Sequence, residues 1–235
     1  MKNKKFIVIE GLDGSGKTTQ FELLKETLKD DYKFISFPDY ELSSGKIIRN
    51  EYLSGNLFKT KIPEQTKKDI YAISMMYAFN RYMSFRENCL QDFNSETKII
   101  SSRYTTSNII YMGSQLGESP IQTGDYKTWK NTIMNYADWI TDLEYNKLGL
   151  PEPTSTIFYH VPIEISQKLL EERYNHNNEQ KDIHERNIEY LKSCEEVALD
   201  IAREFKWTII ECTDKTGNLK SIEEIHNKTL EIINR

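Results

Sequence analysis

The sequence predicts an α/β protein with a five-stranded, mostly parallel sheet and helices on both faces. Short apolar runs alternate along the chain with stretches whose apolar residues recur every three or four positions. This alternation is typical of parallel strands joined by helical crossovers. A glycine-rich turn follows the first run, and 235 residues without a linker-like segment can form a sizeable core. We therefore expect one domain over residues 1–235.

The predicted strands are short runs rich in β-branched and aromatic residues. The first, residues 5–10 (KFIVIE), has no polar alternation before Glu10, as expected of a strand that is buried on both faces, and it ends at Gly11. The second, residues 33–37 (KFISF), is stopped by Pro38. The other three predicted strands are residues 98–101, 154–161 and 207–212.

Helical spacing of apolar residues fills the intervals between the strands. In the first helix, for example, Phe21, Leu24 and Leu28 share one face. The predicted helices are residues 17–29, 44–53, 64–90, 106–116, 126–148, 165–174, 182–205 and 221–233. The polar segment YNHNNEQKD, residues 174–182, has no periodicity, and it is either a solvated connection or part of a lid.

Charge and cysteine content exclude several classes of protein. The net charge is −5, from 31 basic and 36 acidic residues, which argues against a nucleic-acid-binding surface. The cysteines Cys89, Cys194 and Cys212 form no CxxC pair, so we expect neither a zinc site nor disulfides, and a reducing compartment. No apolar run approaches the roughly 20 residues of a membrane span, and none near the start resembles a signal sequence. We therefore expect a cytoplasmic protein without a membrane partner.

The strongest motif in the chain is GLDGSGKT, which matches the phosphate-binding pattern G-x-x-x-x-G-K-[ST] and lies between a strand and a helix. Its glycines let successive backbone N–H groups turn toward phosphate oxygens, and the helix adds the positive end of its dipole. Lys17 can reach the β- and γ-phosphates of ATP, and Thr18 can bind Mg²⁺. The predicted ATP-binding residues are Gly11, Leu12, Asp13, Gly14, Ser15, Gly16, Lys17, Thr18 and Thr19.

Further motifs make the chain resemble the thymidylate kinase family from Phe6 to about Ile233. The stretch FIVIEGLDGSGKTTQ is similar to the family's P-loop, in which the residue matching Asp13 contacts the acceptor nucleotide. The resemblance implies a P-loop NTPase fold with a short lid, a homodimer, and Mg²⁺-dependent transfer of the ATP γ-phosphoryl group to dTMP. The product would be dTDP, which leads to dTTP.

The stretch FPDY is similar to the family's FPxR, so the resemblance implies that Phe37 and Pro38 line the monophosphate site. Tyr40 stands at the position of the family's arginine. Because a buried phosphate dianion without a cation would cost several kcal/mol, we expect Lys46 or Arg49 in the next helix to replace it.

Two motifs resemble the family's base and sugar site. In MYAFNR, Tyr77 and Arg81 lie four residues apart on one helical face, and the resemblance implies that they stack on thymine and hydrogen-bond to it. SRYTTSNIIYMG is similar to the family's DRYxxSxxAYQG, which carries roles in dTMP binding over to Arg103, Tyr104, Ser107 and Tyr111. The Tyr111 ring would exclude a ribose 2′-hydroxyl. The departures from this motif are Ser102 for aspartate and Met112 for glutamine.

Residues 171–191 resemble the family's lid and the helix that follows it, with the lid at about 173–186. Enzymes of this type supply the cation that neutralises the transferred charge from the P-loop or from the lid. The P-loop here carries no arginine, so the resemblance implies a lid cation. Arg173 is the first choice, with Lys181 and Arg186 as alternatives. Together with Lys17 and Arg103, Arg173 completes the predicted catalytic set.

Two other activities stay open from the sequence alone. A deoxynucleoside kinase of related fold would need a carboxylate base, and Glu10 at the end of the first strand is a candidate. A nucleotide-binding module without phosphoryl transfer would explain the loss of charged residues at Ser102 and Tyr40. A motor or switch protein fits less well, because the sequence contains no separate effector domain.

Overall fold

The computed structural model describes residues 5–57, 67–95, 97–117, 124–173 and 187–234, with only the backbone of Arg173. Its five strands form one sheet in the order β2-β3-β1-β4-β5, and every pairing between neighbouring strands is parallel. The strands are β1 (Phe6–Gly11), β2 (Tyr32–Ser36), β3 (Lys98–Ser102), β4 (Ser155–His160) and β5 (Thr208–Glu211). The predicted class and strand number are confirmed.

The helices follow the strands in the expected alternation. They are α1 (Lys17–Leu28), α2 (Ser43–Ile47), α3 (Lys67–Ser84), α4 (Leu90–Asn94), α5 (Thr105–Tyr111), α6 (Tyr126–Thr141), α7 (Ile163–Arg173), α8 (Ile188–Glu204) and α9 (Ile222–Ile233). Among the described residues, none of these helices is both long and apolar enough to cross a membrane. The three cysteines are buried free thiols.

Strand β1 is the centre of the sheet and is buried along its whole length, because it has parallel neighbours on both edges and helices on both faces. Side chains of adjacent strand residues point to opposite faces. In β4, Phe158 packs with α5, α6 and α8, whereas Ile157 and Tyr159 pack on the other face with α1 and α9. The carboxyl ends of β1 and β3 lie side by side, since Ile9 pairs with Ser102.

Three predicted helices are not continuous α-helices. The stretch 44–53 is α2 followed by a π-helical segment at Ile48–Leu53, and 126–148 is α6 followed by one at Asp142–Lys147. The stretch 64–90 contains α3, a π-helical segment at Phe85–Cys89 and the start of α4. Apolar spacing of three to four residues fits either helix type, so the sequence pattern could not reveal these changes in hydrogen bonding.

The other helix boundaries differ less from the predicted ones. Helix α5 ends at Tyr111 and is followed by a 3₁₀ turn at Gly113–Gln115, so residues 106–116 are not one helix. The described part of the predicted helix 182–205 begins at Ile188. Apart from the backbone of Arg173, which ends α7, the predicted lid lies outside the described residues. That residues 1–235 form one domain stays a prediction.

Candidate active site

The phosphate-binding loop connects β1 to α1 and has the backbone shape that its glycines permit. Gly14 (φ +81°) and Gly16 (φ +76°) both adopt the left-handed conformation, which side chains disfavour. The Ser15 N–H donates to the Leu12 carbonyl at 3.1 Å and closes the turn between them. A Cβ atom at Gly14 would lie 2.5 Å from the Ser166 carbonyl oxygen of α7. Both backbone angle and packing therefore require glycine at position 14.

The loop presents polar groups suited to an anion. No side chain caps the N-terminus of α1, so its first N–H groups are available to a ligand at the positive end of the helix dipole. The Ser15 hydroxyl is buried and has no hydrogen-bond partner among the described residues. Lys17 is mostly buried, whereas Thr18 and Thr19 are exposed at the start of the helix. The loop can thus bind phosphate groups and present Thr18 to a metal that accompanies them.

A cavity beside this loop collects all the residues that were predicted to bind dTMP. They are Asp13, Phe37, Pro38, Tyr77, Arg81, Arg103, Tyr104, Ser107 and Tyr111. The cavity is also lined by Tyr40, Leu53, Asn108 and Met112. Asn108 and Leu53 were missed by the sequence reasoning. Asn108 lies in α5 one position after Ser107 and three before Tyr111, both of which were predicted, and the spacing of three from Tyr111 on one helical face is a signal that could have found it.

Arg103 joins the cavity to the phosphate-binding loop. It adopts a left-handed backbone conformation (φ +63°), which is uncommon outside glycine. Its Nη2 lies 2.5 Å from Asp13 Oδ1, and the Tyr111 hydroxyl donates to Asp13 Oδ2 at 3.0 Å. Burial lowers the pKa of Arg103, but Tyr111, Asp13 and Glu10 raise it more, so the net pKa is well above the usual arginine value. Arg103 therefore stays protonated and positively charged.

Glu10 is fully buried at the end of β1, directly before the phosphate-binding loop. It accepts hydrogen bonds from the backbone N–H of Gly11 at 3.1 Å and from the hydroxyls of Thr106 at 2.8 Å and Ser107 at 2.7 Å. Arg103 Nη1 lies 3.8 Å from its Oε1. These contacts compensate the buried charge and tie the start of α5 to the loop. The Ser107 hydroxyl is thus directed to Glu10.

The segment FPDY forms a loop that is held against α3. The peptide bond between Phe37 and Pro38 is cis. Asn80, which is fully buried, accepts a hydrogen bond from the Asp39 N–H at 2.8 Å and donates one to the Asp39 carbonyl at 2.9 Å. This reciprocal pair, which the sequence reasoning missed, fixes the position of the next residue, Tyr40, in the cavity wall.

Of the two cations predicted to replace the family's arginine, Arg49 is the one in contact with Tyr40. The Arg49 guanidinium lies 4.2 Å from the centroid of the Tyr40 ring. Arg49 and the cavity residue Leu53 are four residues apart in the same π-helical segment. Lys46 is exposed. The cation–π contact therefore places one positive charge at the edge of the cavity.

Tyr77 and Arg81 both line the cavity from α3, but their surroundings differ. Tyr77 packs edge-on against Tyr52, with 6.1 Å between ring centroids. Arg81 is only 2% exposed, and its Nε and Nη2 donate to the two oxygens of Glu144 at 2.7 and 2.5 Å. The resemblance implied an arginine that reads the base, and the structure adds a buried carboxylate that already occupies one edge of its guanidinium.

Ser101, Ser102 and Tyr104 flank Arg103 in the chain. The Tyr104 hydroxyl donates to the Pro151 carbonyl at 3.0 Å, so its ring forms part of the cavity wall. Ser101 is buried and donates to the Arg103 carbonyl at 2.7 Å. Ser102 is half-buried at the end of β3.

The described part of the chain contains no cluster of three or more histidine, cysteine, aspartate or glutamate residues that could bind a metal unaided. The hydroxyls of Thr18 and Ser102 are hard oxygen ligands of the kind that Mg²⁺ uses together with phosphates and water. The residues present are compatible with a metal that arrives with the nucleotide. The side chains of Arg173, Lys181 and Arg186 lie outside the described residues.

A central parallel sheet, a phosphate-binding loop at its carboxyl edge and an adjacent second cavity define a P-loop nucleotide-binding protein. The family model for thymidylate kinase matches residues 9–228 of the chain. A probable thymidylate kinase of Methanocaldococcus jannaschii is 28% identical over 98% of this chain and 96% of its own length. A thymidylate kinase of Plasmodium falciparum is 29% identical over 96% of this chain and 88% of its own length.

The structure of a thymidylate kinase from Candida albicans superimposes with a TM-score of 0.69 at 25% identity, covering 98% of this chain and 91% of that one. The chain belongs to the thymidylate kinase family. It is therefore a nucleoside monophosphate kinase and a phosphotransferase, and the family resemblance drawn from the sequence is confirmed.

Proposed function

We propose that the protein transfers the γ-phosphoryl group of ATP to dTMP, giving dTDP and ADP. The observation that carries the proposal is the cavity beside the phosphate-binding loop, because it is lined by every residue predicted for the acceptor nucleotide. Asp13 belongs both to the loop and to the cavity wall. The two substrates would thus meet at the carboxyl ends of β1 and β3, where ligands of open α/β sheets bind.

In this proposal the phosphate-binding loop holds the triphosphate of ATP through its backbone N–H groups, and Lys17 neutralises the β- and γ-phosphates. Thr18 would hold Mg²⁺, which neutralises phosphate charge when it is bound. An oxygen of the dTMP phosphate attacks the γ-phosphorus in line, and the bond from that phosphorus to the β–γ bridging oxygen breaks. Arg103 stabilises the transferred charge.

The acceptor is already an anion, so the reaction needs no general base. This agrees with the position of Glu10, whose two oxygens accept three hydrogen bonds within the protein. A deoxynucleoside kinase would need a free base near a sugar hydroxyl. The contacts of Glu10 therefore favour a monophosphate acceptor over a nucleoside.

The acceptor phosphate would be held by Arg103 and by Arg49, which the Tyr40 ring supports at the edge of the cavity. Tyr77 would stack on the base and Tyr111 would lie against the deoxyribose. Arg173 at the end of α7 would supply the lid cation. The roles of Arg103, Tyr77, Tyr111 and Arg173 are carried over from the family resemblance, whereas that of Arg49 rests on its contact with Tyr40.

The test is an assay of purified protein with ATP, Mg²⁺ and either dTMP or thymidine, with detection of dTDP and dTMP as products. We expect dTDP from dTMP and no product from thymidine. Lys17→Ala should lower turnover at least 100-fold, as expected for loss of a charge that stabilises the transition state. The exposed Lys25→Ala on the same helix is the matched control. ATP binding without any dTDP would instead support the binding-module alternative.

We also propose that the protein is a homodimer, as the family resemblance implies. Ile47 of α2 and Met75 and Phe79 of α3 are each more than half exposed, at 51%, 55% and 54%. Met75 and Phe79 lie four residues apart on one helical face, so a second copy could cover both. Phe79→Glu should yield monomers in light-scattering measurements. Ile222→Glu, an equally exposed residue on α9, should not. A monomeric wild type would contradict the proposed dimer but not the proposed kinase activity.

A further inference from the structure

A buried carboxylate in the π-helical segment that follows α6 pairs with Arg81 in the cavity wall. Glu144 is completely buried, 63 residues away from Arg81 in the chain. Its two oxygens bind Arg81 Nε at 2.7 Å and Nη2 at 2.5 Å. The contact is therefore side-on and bidentate, which fixes the plane of the guanidinium as well as its position.

Guanidinium geometry decides which donors remain for a ligand. Nε and one hydrogen of Nη2 form one edge of the planar group, and Glu144 occupies that edge. The remaining edge carries Nη1 and the second hydrogen of Nη2. Arg81 lines the cavity, and among the described residues its hydrogen bonds go to Glu144 only. A ligand in the cavity would thus meet an edge made entirely of donors.

Glu144 is itself held in place by a third residue. The Thr105 hydroxyl donates to Glu144 Oε2 at 2.7 Å. Thr105 is fully buried in the first turn of α5, the helix that also carries the cavity residues Ser107 and Asn108. The chain of contacts therefore joins three helical elements around the position where a base would lie.

We propose that Glu144 is a positioning residue for base selection, which holds Arg81 so that its donor edge meets the 4-carbonyl of a pyrimidine. The proposal deepens the proposed function and rests on it. A donor edge donates to the 4-carbonyl oxygen of thymine or uracil. It leaves the 4-amino group of cytosine without an acceptor, which is a strong basis for rejecting cytosine. Arg81 touches the base in this scheme, whereas Glu144 and Thr105 act through Arg81.

The experiment measures kcat and KM for dTMP and dCMP in the wild type and in Glu144→Gln. The amide loses the charge and one of the two acceptors, so Arg81 is no longer fixed. We expect KM for dTMP to rise about 10-fold while KM for ATP stays within twofold, and the preference for dTMP over dCMP to narrow at least fivefold. Unchanged preference in a folded Glu144→Gln protein would overturn the proposal.

Two further variants separate positioning from simple charge balance. Glu144→Asp keeps the charge but shortens the side chain, so it should narrow the base preference as well, whereas a purely charge-balancing role predicts no change in preference. If Glu144→Gln does not fold, Thr105→Val removes the hydroxyl bond to Glu144 Oε2 and the contact of the same hydroxyl with Tyr145, and leaves the carboxylate of Glu144 in place. We expect it to narrow the preference about threefold, with Thr105→Ser restoring it. A Thr105→Val protein with wild-type preference would also overturn the proposal.

If the wild type forms no dTDP at all, the proposed function fails, but base selection is still measurable. The stabilisation of the protein by dTMP and by dCMP is then compared by thermal unfolding without ATP. A larger shift with dTMP that disappears in Glu144→Gln supports the positioning role. Equal shifts in both proteins reject it.

Discussion

Gly45 packs its Cα directly against the backbone of Asp39, so that a Cβ at position 45 would lie 1.8 Å from the Asp39 carbonyl oxygen. The same carbonyl accepts a hydrogen bond from Asn80 on α3. Helix α2 and the FPDY loop thus approach each other at a point where only glycine fits. The position of this loop, whose residues Phe37, Pro38 and Tyr40 line the cavity, depends on this contact.

We therefore expect Gly45→Ala to displace the FPDY loop. Overpacking of this kind costs about 2 kcal/mol and should lower the melting temperature by about 4–8 °C in a chain of this size. KM for dTMP should rise more than KM for ATP, because the loop faces only the acceptor. Gly113→Ala, whose Cβ would make ordinary contact at 3.4 Å, is the control for the loss of glycine flexibility. Equal behaviour of the two variants would contradict the prediction.

Binding of the acceptor phosphate should depend on the contact between Tyr40 and Arg49. Arg49→Ala should raise KM for dTMP about 10-fold without changing KM for ATP, because one charge-assisted contact is lost. Tyr40→Phe keeps the ring beneath the guanidinium and should have little effect, whereas Tyr40→Ala should resemble Arg49→Ala.

The exposed Lys46→Ala, which removes the other candidate cation, is the matched control. Introducing Tyr40→Arg into Arg49→Ala would restore the arrangement of charges expected for the family and should recover most of the affinity. If Lys46→Ala alone raises KM for dTMP, the assignment to Arg49 is wrong.

The preference for a deoxyribose over a ribose acceptor should depend on the Tyr111 ring. Tyr111→Ala opens space beside Asp13 and should narrow the preference for dTMP over the corresponding ribonucleotide about 10-fold, because steric exclusion of the 2′-hydroxyl is lost. Tyr111→Phe keeps the ring and removes only the hydrogen bond to Asp13, so the preference should remain. Competition assays with both acceptors in one mixture give the ratio directly. A Tyr111→Ala enzyme that still rejects the ribonucleotide would show that another residue excludes it.

The Mg²⁺ dependence of turnover should change when Ser102 is replaced by a carboxylate. A carboxylate at the end of β3 would add negative charge near the phosphate-binding loop, as many P-loop enzymes have. Ser102→Asp should therefore lower the Mg²⁺ concentration that gives half-maximal turnover. Ser102→Asn, which has a similar size and no charge, should not. If Ser102→Asp leaves the Mg²⁺ dependence unchanged or lowers turnover, the metal depends on Thr18 and the phosphates instead.

The two carboxylate partners of His160 should make the stability of the protein depend on pH. Its Nε2 lies 3.0 Å from Glu195 Oε1 and its Nδ1 lies 2.6 Å from Glu211 Oε2. The hydrogen bond to Glu195 raises the pKa of His160, burial opposes this, and the bond to Glu211 raises it further, with a net increase. A raised folded-state pKa stabilises the protein below the unfolded-state value of about 6.5, and this contribution is lost as the pH rises through the folded-state pKa.

The melting temperature of the wild type should thus exceed that of His160→Gln by more at pH 5.5 than at pH 9. His226 is the control, because burial lowers its pKa. The contribution of His226 is fully present above about pH 6.5 and is lost as the pH falls through its lowered pKa, so His226→Gln should show the opposite trend. A difference for His160→Gln that does not vary with pH would contradict an ionic role.

Local features of this chain were predictable from its sequence, whereas contacts between distant residues were not. The phosphate-binding loop was predictable because its glycines, Lys17 and Thr18 are close together in the sequence, so their spacing alone defines the motif. The common helical face of Tyr77 and Arg81 was predictable from their spacing of four residues. The order of strands and helices followed from periodicity. The π-helical segment that carries Glu144 did not, because a segment of 6 residues is too short to show a period of its own in an apolar pattern.

By itself the sequence determined the α/β class, the phosphate-binding loop and most of the residues that line the cavity beside it, although not Leu53 or Asn108. Only the tertiary structure decided that Arg81 binds Glu144, 63 positions away, and that Asn80 holds Asp39, 41 positions away. The physical reason is that backbone conformation and helical faces depend on residues a few positions apart. The partner of a buried polar side chain depends instead on how complete elements pack, and that packing brings together residues whose spacing in the chain carries no signal.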